Sequence, residues 1–279
     1  MRTLRTAFLL TVLTLLLLFI GEAFGGRNGM TMALVFAILM NGTAYFFSDK
    51  IALMSSGAVP ISREESPRLY EVMERLAGKA NLPMPKLYLI PQPAPNAFAT
   101  GRNPSHASVA VTQGLMQLMD DEELEGVIAH ELSHVRNYDI LTSSIAATLA
   151  GAITWVARMG FWFGGGDDRD RGGGGIAALL MLIVAPLAAM LLQLGVSRQR
   201  EYQADASGAK MVGHPYGLIR ALEKLGAYNK RIPTDMPAST AALCIVAPLT
   251  AGGAVRSLFS THPALEDRIA RLQAMTITR

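Results

Sequence analysis

The chain has one cysteine, few charges and no concentrated basic region. Of its 279 residues only 17% are charged, the formal net charge is +3, and Cys244 is the sole thiol. A single cysteine excludes an intramolecular disulfide, which fits a reducing compartment. Cys244 sits in the apolar stretch "AALCIVAPL" and reads as a small buried hydrophobe rather than a nucleophile. The charges are scattered, so there is no basic stripe of the kind that tracks nucleic acid. Internal repeats and a phosphate-binding P-loop are also absent; "GGGG" beside charged residues is a linker. What remains is apolar: 51% of the residues are hydrophobic, and mean hydropathy is +0.29. That balance points to membrane segments.

A membrane-spanning helix needs about 20 mostly apolar residues to cross about 30 Å of hydrocarbon. Residues 6–24, "TAFLLTVLTLLLLFIGEAF", meet this, and "MTMALVFAILMNGTAYFF" (30–47) follows after a short link. Arg2 and Arg5 ahead of the first run would also suit a signal peptide. The run is longer than a usual signal core and leads almost at once into the second, so a retained helical hairpin is expected. A second apolar pair occupies 140–163 and 176–196, joined by a Gly-rich polar loop, 164–175. Lysine and arginine placement puts both termini on the cytoplasmic side of four spans. The polar regions 48–139 and 197–279 then form two parts of one cytoplasmic domain. A fifth apolar run, 241–255, is too short and too rich in Gly and Pro to span, and reads as a loop or buried segment.

The soluble part mixes helices and short strands. Ser62 and Glu65 make a capping-box pattern, followed by Leu69, Val72, Met73 and Leu76 on one helical face. "KLYLI" (86–90), "NAFAT" (96–100) and "SVAVT" (108–112) read as strands, the last two joined by a turn-rich connection. "DDEEL" (120–124) is a favourable helix start, because carboxylates complement the positive end of the helix dipole.

That helix carries "VIAHELSHVRNYD", residues 127–139. His130 and His134 are four apart and project together, beside an apolar arc of Leu124, Val127, Ile128, Leu132 and Val135. Two imidazoles at this spacing can bind one tetrahedral metal ion. Glu131, rotated about 100° from His130, is placed for a general base rather than a ligand. A catalytic zinc needs a third protein ligand. His106, His214, His262 and the carboxylates are the candidates. Glu201 and Asp205 in "SRQREYQADASGAKMV" share a helix face, so one could ligate while the other orients an imidazole. Spacing alone leaves this no better founded than an ordinary solvated helix.

"AHELSHVRNYD", two apolar segments, and then "SRQREYQADASGA" resemble the HtpX-type membrane zinc metalloproteases, relatives of the CAAX prenyl proteases. "PNAFATG" before the motif and "STHPALEDRI" after it are similar to the same family. The resemblance covers nearly the whole chain, with four blocks in the expected order. It implies one Zn2+ per chain held by His130, His134 and Glu201, with Glu131 as general base and Asp205 orienting an imidazole. It also implies a substrate-pairing edge strand, Asn96, Ala97, Phe98 and Ala99, with Asn96 facing the cleft, and His262 near the oxyanion.

The expected fold is a mainly α integral membrane protein of about four transmembrane helices. It would carry a cytoplasmic α+β zincin-like domain with a small sheet. The expected function is endopeptidase action on unfolded or misassembled membrane proteins at the bacterial inner membrane. A CAAX-type processing protease would carry more spans around a large chamber. A non-catalytic, zinc-stabilised scaffold would not require Glu131.

Overall fold

A computed structural model describes residues 2–163, 197–229, 243–246 and 263–276. The apolar N-terminus forms α1 (Arg2–Ser55), a helical stretch broken at Gly26, where φ 55 and ψ −145 are accessible only to glycine. The break folds the chain into a hairpin whose arms nearly touch. A Cβ on Gly29 would lie 2.2 Å from the Gly21 carbonyl oxygen, so only small residues allow this approach. Further along, Asn41 Nδ2 donates to Thr14 Oγ1 across the arms at 2.9 Å. The second arm, Gly25–Ser55, has 31 residues with mean hydropathy 1.6 and, among the described residues, is the one helix long and apolar enough to cross a membrane. It continues eight positions beyond the run expected from sequence. Phe19, Met32, Phe36, Ile38 and Leu39 are exposed on the hairpin, a concentration of apolar surface that water does not favour.

Among the described residues there are four strands, β1 (Val59–Pro60), β2 (Lys86–Ile90), β3 (Ala97–Gly101) and β4 (Ala107–Thr112), in the order β1-β2-β4-β3. Only β2 and β4 run parallel. Pleating sends Ala97, Ala99, Val109 and Val111 into the main core. The alternate residues Phe98 and Ala110 pack with Ala52 and Leu53 from the end of α1, beside Cys244. Both faces are therefore covered, which is why β4 is buried throughout and lacks a polar alternation. β3 begins one residue later than expected and forms the sheet edge.

Helices α2 (Pro67–Ala80), α3 (Gln113–Leu118) and α4 (Asp121–Asn137) complete the first part. Leu69, Val72, Met73 and Leu76 of α2 are all buried. The Ser62–Glu65 pair is present, with the Ser62 amide donating to Glu65 Oε2 at 2.7 Å. It closes a turn rather than a helix, since α2 starts at Pro67, whose fixed φ suits the first helical position. After α5 (Asp139–Phe163), the described chain resumes with α6 (Arg198–Val212), α7 (Tyr216–Asn229) and α8 (Leu265–Gln273). α5 docks on the α1 hairpin through Leu13, Ala44, Ile145, Ala146 and Leu149. The expected fourth apolar run and the Gly-rich loop lie outside the described residues. Of the fifth run, residues 243–246 are described as a turn with Cys244, Ile245 and Val246 buried.

α4 is central to the packing beyond α1, with α2, α6, α7 and β3 around it. Its contact with α6 is backbone to backbone: a Cβ on Gly208 would lie 3.0 Å from the His130 nitrogen. That closeness brings the side chains of α6 within reach of the histidines.

Candidate metal centre

α4 begins with a complete capping box. Asp120 Oδ1 accepts from the Glu123 amide at 2.8 Å, and the Asp120 amide donates to Glu123 Oε2 at 2.9 Å. This fixes the helix register, and Leu124, Val127, Ile128, Leu132 and Val135 turn into the core. His130 and His134 then point from one side of α4 toward Glu201 on α6. Their Nε2 atoms are 3.2 Å apart. Glu201 Oε2 is 3.6 Å from His130 Nε2, and Glu201 Oε1 is 3.5 Å from His134 Nε2.

Tetrahedral zinc with bonds of about 2.0–2.1 Å would set its donors about 3.3 Å apart. The observed triangle fits that requirement. Among the described residues this is the one group of three or more metal-binding side chains close enough to share an ion. Glu201 therefore lies together with the two histidines, while Asp205 stands behind His130.

The outward-facing nitrogens are held by carboxylates. His130 Nδ1 lies 2.8 Å from Asp205 Oδ1, and His134 Nδ1 lies 3.4 Å from Asp139 Oδ2. With each Nδ1–H directed to a carboxylate, both Nε2 atoms present lone pairs to the same point. Burial opposes charge on His130, but hydrogen bonds to Asp205 and Glu201 override it and raise its pKa to about 9. The surrounding groups thus call for positive charge at this point, which a divalent cation supplies.

Glu131 is different. Both of its oxygens are buried and, among the described residues, lack a hydrogen-bond partner. Burial pushes its carboxyl above the ordinary range and the charge of Glu201 adds to this, while His130, His134 and the Ala99 amide pull the other way. Glu131 faces a cleft shared with the three candidate ligands, Ala99 and Ser143.

Residues 63–276 match peptidase family M48. The chain belongs to that family. It is 54% identical over 279 residues to a Protease HtpX homolog of Thermodesulfovibrio yellowstonii, covering 99% of both chains. It is 52% identical over 274 residues to a Protease HtpX homolog of Desulforapulum autotrophicum, covering 96% of this chain and 88% of the relative. Among solved structures, that of S. mikatae Ste24p matches with TM-score 0.54 and 20% identity, over 97% of this chain and 64% of the other. At that identity the likeness concerns the fold alone. The HtpX-type resemblance read from the sequence holds, and the chain is a membrane-bound metalloprotease.

Two features of this M48 protease were not legible in its motifs. The first is Arg268, fully buried on α8. Its Nε and Nη2 donate to the two oxygens of Asp205 at 2.8 and 2.6 Å, and its Nη1 donates to the Ile245 carbonyl at 2.6 Å. This bidentate clamp holds Asp205 below the usual carboxylate range against the opposing effect of burial. The signal was available: Arg268 falls on the same helical stripe as Leu265 and Leu272, which pack into the core, and a cation there requires a partner. The second is the pairing of His134 with Asp139, which follows from the left-handed break at Tyr138 between α4 and α5.

Other expectations sort simply. The Asn96 side chain donates to the Val246 carbonyl at 3.0 Å and accepts from the Ala97 amide at 3.0 Å. It therefore fastens residue 246 to the start of β3 instead of facing the cleft, and Ala99 is the strand residue that lines it. His106 is exposed, and His214 lies 3.5 Å from Glu122 at the surface. His262 lies outside the described residues. Cys244 borders the cleft, but burial and then the charge of Glu131 push its thiol up, away from the nucleophilic range.

Proposed function

We propose that the chain is a zinc endopeptidase of the bacterial cytoplasmic membrane that cuts unfolded or misassembled membrane proteins at the cytoplasmic face. The observation that carries the reading is the donor triangle of 3.2, 3.5 and 3.6 Å beside the buried carboxylate of Glu131, which has no hydrogen-bond partner among the described residues. His130, His134 and Glu201 would hold the ion. Zinc, when bound, activates a water molecule and polarises the scissile carbonyl. Glu131 takes a proton as water attacks the peptide carbonyl and delivers it to the leaving amine. Burial raises its pKa, which favours uptake of the proton from water. His262 is proposed to steady the oxyanion.

The substrate would add as a strand along β3. The Asn96 carbonyl accepts from the Thr112 amide on β4, so the alternate backbone groups of Ala97 and Ala99 face away from the sheet. Ala97 is engaged by the Ile245 amide at 3.0 Å, which leaves Ala99 above the metal site. Backbone pairing gives affinity with little demand on sequence, as quality control of varied chains requires.

Four spans are proposed, two in the α1 hairpin and two in residues 140–196, with 48–139 and 197–279 forming one cytoplasmic domain. The long apolar arm Gly25–Ser55, the 25-residue α5 and the lysine and arginine placement support this. The test is degradation of a purified, unfolded membrane protein by the detergent-solubilised chain, blocked by a chelator and restored by zinc. Cleavage confined to prenylated C-terminal peptides would instead favour CAAX-type processing. No metal-dependent cleavage of either class would favour a scaffold.

A further inference from the structure

We infer that Asp139, braced by Arg200, is a positioning residue for His134 and ties the metal centre to the helices on either side of residues 164–196. The inference rests on the metal-site reading above. In an unbroken α4, residue 139 would lie about 140° around the helix from His134 and could not reach it, at 100° per residue. Instead Tyr138 adopts φ 61 and ψ 22 and ends α4. A non-glycine residue takes this left-handed conformation only against a steric penalty. The result is that Asp139 opens α5 and returns to His134.

The placement answers a chemical need. His134 Nε2 faces His130 Nε2 at 3.2 Å and Glu201 at 3.5 Å, so its proton belongs on Nδ1. Nδ1 is 3.4 Å from Asp139 Oδ2, and the second oxygen, Oδ1, is 3.4 Å from Arg200 Nη1. The three side chains are only 15%, 14% and 9% exposed, so the carboxylate depends on the arginine for its charge balance. The order Arg200–Asp139–His134 repeats the order Arg268–Asp205–His130 on the other ligand. Each imidazole thus has a carboxylate fixing its tautomer and an arginine fixing that carboxylate.

Arg200 lies in the first turn of α6, one residue before Glu201. One ion pair therefore joins the start of α5, the start of α6 and a candidate ligand. The test uses the full chain in detergent, stripped of metal, with zinc affinity measured against a competing chromogenic chelator. Asp139→Leu should weaken zinc binding about 10–100-fold. Asp139→Asn, which keeps an acceptor, should lose less. Arg200→Met should weaken binding too, and the Asp139→Leu/Arg200→Met pair should lose no more than the worse single variant.

Melting of the metal-free proteins separates positioning from folding. Unchanged affinity in both Asp139 variants overturns the inference. So does a loss accounted for by a matching fall in the folded fraction. His134→Ala is the control: wild-type affinity there would refute the metal-site reading itself, independently of Asp139.

Discussion

Replacing Arg268 by methionine removes a guanidinium that is wholly buried and leaves Asp205, 3% exposed, without its cation. The lost contacts are two charge-assisted hydrogen bonds of 2.8 and 2.6 Å to Asp205 and one of 2.6 Å to the Ile245 carbonyl. Unit charges about 4 Å apart at an effective dielectric of about 20 interact by about 4 kcal/mol. Removal of one member of a buried pair costs about 3–5 kcal/mol by experience with other proteins. The two figures agree, and about 4 kcal/mol is a large share of the 5–15 kcal/mol that typically separates folded from unfolded chains. At about 2–4 °C per kcal/mol for a domain of this size, Tm of the metal-free protein should fall by about 8–16 °C. The double variant Arg268→Met/Asp205→Leu removes both charges and should recover most of that loss. It should not recover zinc affinity, because His130 still lacks the carboxylate that orients it. Circular dichroism melting of stripped protein, with chelator competition on the same samples, reads both quantities. A loss below about 1 kcal/mol for Arg268→Met, or a double variant as unstable as the single, would refute the clamp.

Other outcomes follow from particular contacts. Gly208→Val would drive a side chain into the α4 backbone beside His130, where a Cβ already lies 3.0 Å from nitrogen; it should cost about 1–3 kcal/mol and lower metal content by moving α6 away. Asp120→Ala removes the cap of α4 and should cost about 1 kcal/mol in urea denaturation while leaving metal stoichiometry unchanged. Glu201→Ala should lower zinc occupancy, measured by elemental analysis; unchanged occupancy would place the third ligand elsewhere.

Local chemistry was the readable part of this sequence. The acidic start of α4, the four-residue histidine spacing and the first three apolar runs each carry their signal within a few turns, and each is found on a described helix. The third candidate ligand was different: spacing put Glu201 on a helix face but could not say what that face met. The answer depended on the crossing of α6 over α4 at Gly208, a contact between distant segments. The role of Arg268 is not legible locally, because one arginine in a short helix ordinarily points to water. Only its place on the stripe of Leu265 and Leu272 marks it as interior. Ser62 and Glu65 misled in the other direction, since their reciprocal bonds close a turn as readily as a helix. Sequence does not show that residue 246 lies beside Asn96, whose side chain binds its carbonyl rather than facing the cleft.

The account stands most directly on Glu131→Gln. Glutamine has nearly the same shape and Glu131 is not one of the converging donors, so the variant should retain one zinc per chain. Wild type and variant would be compared for degradation of a purified, unfolded membrane protein, with zinc measured on the same preparations. The account predicts full metal content and a loss of cleavage of at least about 100-fold, the scale of a missing general base. Wild-type cleavage by the variant with its zinc in place would contradict it.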